Sequence, residues 1–254
     1  MSRIEVTRGY SRLPDARAAV EELYGALRRS GGLTAVIFFC SPRYDLEVLG
    51  AALKARFDCP VIGCTSAGEI LSGEGYFSGG IVAVGLASNE LIVHPRLIRP
   101  LERFGLREAQ ALGGDLRRVL QLSDRFEREK MFGLLLIDGL SMLEEPVIAT
   151  LFSALDGIPV VGGSAGDDLA FERTFVYHDG VFVADAALFT LFETTLPFRT
   201  FRVQHFDPTE TKLVITEADG VTRTVYGEPL SIRLRPPDEQ RNHGWCAWAN
   251  KPSV

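Results

Sequence analysis

The sequence has no apolar run near the ~18 residues needed to span a bilayer. The longest, Ile81–Ala87 and Met131–Ile137, suit buried strands instead. No apolar stretch follows the charged opening MSRIEVTRGYSRLPD, so nothing there reads as a secretory signal, and a cytoplasmic protein away from membranes is expected. Positive charge is in deficit: 27 Lys and Arg face 33 Asp and Glu, a net charge of −6. A protein built to grip nucleic acid needs the opposite balance. Cysteine is scarce. Cys40, Cys59, Cys64 and Cys246 form no Cys-x-x-Cys pair, which argues against structural zinc and fits free thiols in a reducing compartment. No Gly-Lys-Ser or Gly-Lys-Thr occurs, so there is no phosphate-binding Walker loop.

What is present is ordinary globular material: 254 residues, 46% hydrophobic and 24% charged, enough for one large or two small domains with a real core. Apolar spacing predicts helices over Asp15–Arg28, Asp45–Phe57, Leu106–Leu122 and Leu143–Leu155, the third interrupted by Gly113-Gly114. Strands are predicted at Leu33–Cys40, Pro60–Gly63, Ile81–Leu86, Glu90–Ile98, Phe132–Ile137 and Ile158–Val161. From Arg173 the texture is strand alone. Phe175–Tyr177 and Val181–Val183 flank a His178-Asp179-Gly180 turn, and Ala186–Phe192, Phe198–His205 and Lys212–Thr216 follow.

The most informative feature is an internal repeat. CPVIGCTSAGEI (Cys59–Ile70) matches IPVVGGSAGDDL (Ile158–Leu169), with Pro60 and Pro159 99 residues apart. Ser66-Ala67-Gly68-Glu69 aligns with Ser164-Ala165-Gly166-Asp167 after a one-residue deletion. Each motif follows a buried strand and a helix and precedes a turn-rich stretch and an apolar strand. The expected fold is therefore α/β: two duplicated β-α-β-loop-β units, mixed sheets packed against helices, and an incomplete C-terminal β segment. Repeat one spans about 15–100 and repeat two about 106–197, together a domain over 1–197.

In both loops a strand runs into glycine, small residues, glycine and an acid. Small residues let a backbone approach a ligand or another strand closely, and free amides there can hold an anion. A tight turn that packs the two copies together explains the same residues. The candidate ligand-binding set is Gly63, Cys64, Ser66, Gly68 and Glu69 in the first copy, and Gly162, Gly163, Ser164, Gly166, Asp167 and Asp168 in the second. Cys64 is a thiolate candidate or a small buried hydrophobe; its counterpart Gly163 has no side chain. The acids suit a cation or a ligand amine, or a solvated or helix-capping role. Gly162–Gly166 also spells the Gly-x-Ser-x-Gly of a nucleophile elbow, with Asp185 and His205 following in order. The helix that an elbow requires is missing, so a Ser164 hydrolase is the lesser reading.

With the repeat in view, the chain resembles the FIST (F-box and intracellular signal transduction) family. The resemblance is carried by VIGCTSAGEI (Val61–Ile70), VVGGSAGDD (Val160–Asp168), FVYHDGVFVADAALFTLF (Phe175–Phe192) and QHFDPTETKLVITEADG (Gln204–Gly220), covering roughly residues 15–225. It implies a sensory domain that binds a small ligand and has no catalytic turnover. One branch of the family binds haem, senses nitric oxide and acts on partner histidine kinases or cyclic-di-GMP enzymes. Residues 198–225 resemble the opening of the family's C-terminal segment. After Val225 only Tyr226-Gly227-Glu228-Pro229-Leu230 echoes the family pattern, and 226–254 reads as an aberrant tail left by truncation or a shifted frame. Cys-x-x-Cys-His is absent, so any haem is haem b held non-covalently. Its axial-ligand candidate is His205 at a strand end, ahead of His94, His178 and His243; a hydrogen-bonded strand-end histidine is the alternative for His205. An amino-acid-like metabolite is the haem-free alternative.

Overall fold

The computed structural model describes residues 4–121, 126–201, 215–218, 223–225 and 228–229. It divides into two compact units, the first holding the chain up to Phe201 and the second lying within Arg202–Ala247.

The first half of the large unit begins with β1 (Glu5–Ser11) and α1 (Ala16–Leu27). Then come β2 (Ala35–Cys40), α2 (Leu46–Arg56), β3 (Val61–Thr65), a small hairpin β4 (Glu69–Leu71) and β5 (Gly75–Phe77), and β6 (Ile81–Ala87). The second half repeats the order: β7 (Leu91–Ile98), α3 (Leu106–Val119), β8 (Met131–Ile137), α4 (Glu144–Ala154), β9 (Val160–Ser164), hairpin β10 (Val176–His178) and β11 (Val181–Val183), and β12 (Ala187–Thr194). Asp15 starts α1 by accepting the Ala18 N–H, and Asp45 starts α2 by accepting the Glu47 and Val48 N–H groups.

The sheets carry the duplication. One sheet has the order β1-β6-β2-β3 and the other β7-β12-β8-β9, position for position. In each the last pair is parallel and the others antiparallel. The first sheet is then extended across the repeat boundary: β10 pairs antiparallel with β3, Val176 opposite Cys64 and Tyr177 opposite Gly63, with β11 outside it.

Three cores follow. Val36, Phe38 and Cys40 of β2 point to α1 and α2, against Val20, Leu23, Leu49 and Leu53. Ala187, Phe189 and Leu191 of β12 point to α3 and α4, against Leu116, Val147 and Leu151. Between the two sheets lie Ile62, Val176, Leu136, Leu188 and Phe192, with Ile37 and Phe39 packed against them. A strand covered on both faces reads as an unbroken apolar run, as Leu33–Cys40 does. The glycines inside α3 do not end it. A Cβ on Gly113 would stand 2.9 Å from the Ala154 carbonyl, so glycine lets α3 and α4 close together.

Several expectations need correcting. Residues 198–201 form no strand, and the rest of the predicted Phe198–His205 strand lies outside the described residues. The predicted Lys212–Thr216 strand appears as β13 (Ile215–Ala218), which pairs with β14 (Arg223–Val225) and through it with β15 (Glu228–Pro229). The remainder of the tail lies outside the described residues. The one-residue deletion between the repeats is also wrong at this point. Cys40 pairs with Thr65 and Ile137 with Ser164, so Ser164 corresponds to Thr65, and Ser66 to Ala165. Hydrogen bonding fixes that register: Ser66 N–H donates to Cys40 O, and Ala165 N–H to Ile137 O.

Phe38 is fully buried, with Tyr177 of the second half and Phe182 edge-on against its ring. Phe38→Ala is expected to cost about 3–5 kcal/mol. Because the ring joins both halves, urea denaturation should remain a single transition with a lowered midpoint, followed by tryptophan-independent probes such as far-UV circular dichroism.

Candidate functional site

In α/β sheets ligands gather beyond the carboxyl ends of parallel strands. Here those ends are Cys40–Ser41 and Thr65–Ser66 in one sheet, and Ile137–Asp138 and Ser164–Ala165 in the other. The two repeated bends meet. Gly166 N–H donates to Thr65 O at 2.9 Å and Asp168 N–H to Ser66 O at 3.3 Å. A Cβ on Gly166 would stand 2.7 Å from the Ala67 nitrogen, so the close approach requires glycine there.

Side chains complete the junction. Asp168, held at φ +56°, reaches back into the first half. Its Oδ2 accepts from Ser41 Oγ at 2.9 Å and pairs with Arg43 Nε at 3.0 Å. Arg43 is exposed while Asp168 is mostly covered. Glu69 is fully buried beneath the bend, its Oε2 accepting from Gly80 N–H at 3.2 Å. Its Oε1 lies 3.0 Å from Ser66 Oγ, and Ser66 Oγ lies 3.2 Å from Cys40 O. A hydroxyl has one hydrogen. Cys40 O already accepts the Ser66 N–H, so the Ser66 hydroxyl can donate to Glu69 Oε1. Burial, with Asp168 adding to it, pushes the Glu69 carboxyl up to about 7 against the opposing hydrogen bonds from Gly80 and Ser66 and the Arg43 charge.

Asp167 behaves oppositely. Its burial raises the pKa, but the N–H groups of Glu172, Phe171, Arg173 and Ala170 outweigh that and hold it below the usual carboxylate range. The Phe171, Glu172 and Arg173 amides lie 2.6–3.0 Å away. Asp167 thus folds the 167–173 loop on itself, and Leu169 and Phe171 stand exposed on left-handed backbone at φ +66° and +55°.

Sequence reasoning passed over Ser41, Arg43, Asp138 and Glu144. Asp138 is the counterpart of Ser41, each following the last residue of its strand. It is buried, accepting from Thr174 Oγ1 at 2.5 Å, Asp185 N–H at 2.7 Å and Leu140 N–H at 3.0 Å. Its position directly after a buried strand that points into a parallel pair was the available signal. Ser164 Oγ donates to Glu144 Oε1 at 2.9 Å, and Asp185 Oδ1 accepts from Leu101 N–H. The serine therefore meets a carboxylate, and Asp185 is engaged elsewhere. Gly162, Gly163 and Ser164 line, with Glu144 and Ile148, a recess of about 20 Å³, room for one water. Gly63 lies under the Phe38 ring. Cys64 sits in the core between the sheets, where burial pushes its thiol up to about 12.

Haem needs an apolar cavity and one imidazole. His205 and His243 lie outside the described residues. His178 flanks a recess of about 440 Å³ whose lining mixes Lys54, Asp58 and Asp179 with Phe57, Val61 and Tyr177. The imidazole of His94 has its Nε2 buried without a hydrogen-bond partner among the described residues, on an edge strand. No group of three or more His, Cys, Asp or Glu among the described residues is placed to hold a metal ion. Among them, too, no helix is long and apolar enough to cross a membrane.

Comparison with known proteins places these observations. The family pattern of the FIST N domain matches residues 34–226. An uncharacterised protein of Methanocaldococcus jannaschii, MJ1623, is 25% identical over 223 residues, covering 84% of this chain. The chain spans 42% of that relative's length. A solved cyanuric acid hydrolase is similar at 11% identity and a TM-score of 0.41, over 77% of this chain and 68% of that one.

A raised carboxyl pKa makes stability depend on pH. Between about 4.5 and 7 the folded state holds a proton at Glu69 that the unfolded chain has released. The Glu69 contribution is therefore complete at low pH and is lost as pH rises through about 7. Glu69→Gln keeps the hydrogen-bond pattern of the neutral acid. Relative to it, the native protein should lose about 3 kcal/mol of stability between about pH 4 and pH 8. Urea midpoints across that range check this, and parallel curves for the two proteins would show that folding leaves the Glu69 pKa unshifted.

Proposed function

The chain belongs to the FIST family of sensory signal-transduction domains, and from that premise we propose that it binds a small zwitterionic, amino-acid-like ligand where its two repeats meet. The observation that carries this reading is the pairing of Asp168 from one repeat with Ser41 and Arg43 from the other. An exposed guanidinium beside a shielded carboxylate matches the two charges of an α-amino acid. The ligand carboxylate takes Arg43 by charge-assisted hydrogen bonds and its ammonium takes Asp168. Glu69 below, its carboxyl pushed up to about 7, carries only part of a charge at neutral pH.

Binding exchanges an intramolecular ion pair for two ligand contacts. That exchange loosens one tie between the repeats and shifts the surface they present together. A ligand moves such an equilibrium only by its different affinity for the two arrangements. The reader of that surface is a histidine kinase or a cyclic-di-GMP enzyme, a partner class drawn from the family resemblance. No step of this reading uses covalent chemistry, and the domain acts as a binding module without turnover. The haem reading rests on His205.

Thermal melting with each of the common amino acids tests the proposal. At 100 times its Kd a ligand stabilises by about 2.7 kcal/mol, which raises Tm by several degrees. The rise should appear for one or a few amino acids and vanish in Arg43→Ala and in Asp168→Asn. Protein mixed with haem should leave the Soret band of free haem unchanged. A Soret band that shifts with nitric oxide, with no response to amino acids, replaces this reading with the haem one.

A further inference from the structure

The two sheets share one plan but end differently. In the first, the outer edge of β3 is covered by the β10–β11 hairpin of the following repeat. In the second, β9 stands in the place of β3, and among the described residues its outer edge pairs with no strand. We propose that the β9 edge takes an added antiparallel strand from a second copy of this chain, supplied by that copy's β4–β5 hairpin.

Backbone direction makes β9 a match for β3. Gly133 N–H donates to Pro159 O, and Ala165 N–H to Ile137 O, so residues 159 and 165 turn their peptide groups inward to β8. Strand alternation then turns Val160, Gly162 and Ser164 outward. In β3 the same arrangement holds: Ser66 N–H points inward to Cys40 O, and Thr65 N–H points outward to Phe175 O. Ser164 is the counterpart of Thr65, and its outward N–H meets no strand among the described residues.

Edge strands are ordinarily guarded by charge, proline or a bulge. The β9 sequence Val-Val-Gly-Gly-Ser has no charge and no proline, and it pairs with β8 in unbroken register.

The occupant follows from the order of the interface already present. A hairpin from the later repeat covers the edge of the earlier one, which is a head-to-tail contact. Among the described residues, two repeats in series leave one edge without a hairpin, β9, and one hairpin without an edge, β4–β5. That hairpin pairs only with itself among the described residues. Its cross-strand partners Ile70 and Tyr76 are large, apolar and exposed, at 43% and 64%. A second copy supplies each missing half to the other, continuing the contact that joins β3 to β10.

Sedimentation of the full chain over about a hundredfold concentration range tests this. Self-association is expected. Val160→Pro removes an outward N–H and leaves the β8 pairing intact, while Ile70→Asp places a charge on the hairpin face; each should weaken association at least tenfold. Mixed together, the two variants should associate again, since one keeps its hairpin and the other keeps its edge. A wild-type chain that stays monomeric overturns the proposal, including the case where a segment of its own chain shields the Ser164 amide from hydrogen exchange. Association lost in Val160→Pro and kept in Ile70→Asp indicates β9 pairing with β9, which also overturns it.

Discussion

Thr65 holds the two repeats together. Its N–H donates to Phe175 O, its carbonyl accepts from Gly166 N–H, and its hydroxyl accepts from Phe175 N–H. All three bonds cross from one repeat to the other, and the residue is fully buried. A parallel β-α-β unit leaves the outer edge of its last strand with unmet peptide groups. Here the second repeat meets them for the first, and buried peptide groups left unmet are costly. The meeting of the two bends is a consequence of that pairing. Once β10 lies on β3, the loop that leads to it must cross Ser66 and Ala67, and the chain reaches there only with glycine at 166.

Two carboxylates within this junction are shifted in opposite directions because their hydrogen bonds differ. Asp167 accepts only N–H donors, which favour the anion. Glu69 has only the Gly80 N–H and the Ser66 hydroxyl as donors, too few to offset its burial. Burial alone does not decide such cases, since both side chains are covered; the sign follows from what each oxygen faces.

Most of the architecture was legible in the sequence because the strands are covered on both faces and the helices carry regular apolar stripes. β1 was not. Its inward residues are Thr7, Gly9 and Ser11, while Val6 is exposed, so hydrophobic alternation runs the wrong way. Thr7 compensates by donating to Leu27 O. The bends were recognised as a repeated pair, yet matching the Ser-Ala-Gly letters misplaced their register. Letters in a loop follow local turn needs, while register is set by ladder hydrogen bonds that a sequence does not display. Ser41, Arg43 and Asp138 escaped notice because they belong to no repeated string. Their significance comes from lying at strand ends that the fold brings together.

Duplication kept the backbone plan and released the side chains. Ser41 has become Asp138 in the second copy, Cys64 has become Gly163, and Ser66 has become Ala165. Each copy buries acids at its bend, Glu69 in the first and Asp138 and Asp167 in the second, and Asp168 of the second reaches across to its neighbour. The polar junction is therefore composite, with Ser41, Arg43 and Glu69 from one repeat and Asp168 from the other. A site assembled this way is sensitive to the relative placement of its two contributors. Whatever alters the Arg43–Asp168 contact acts on the same loops that Thr65 ties together, and this gives local binding a direct route to a change between repeats.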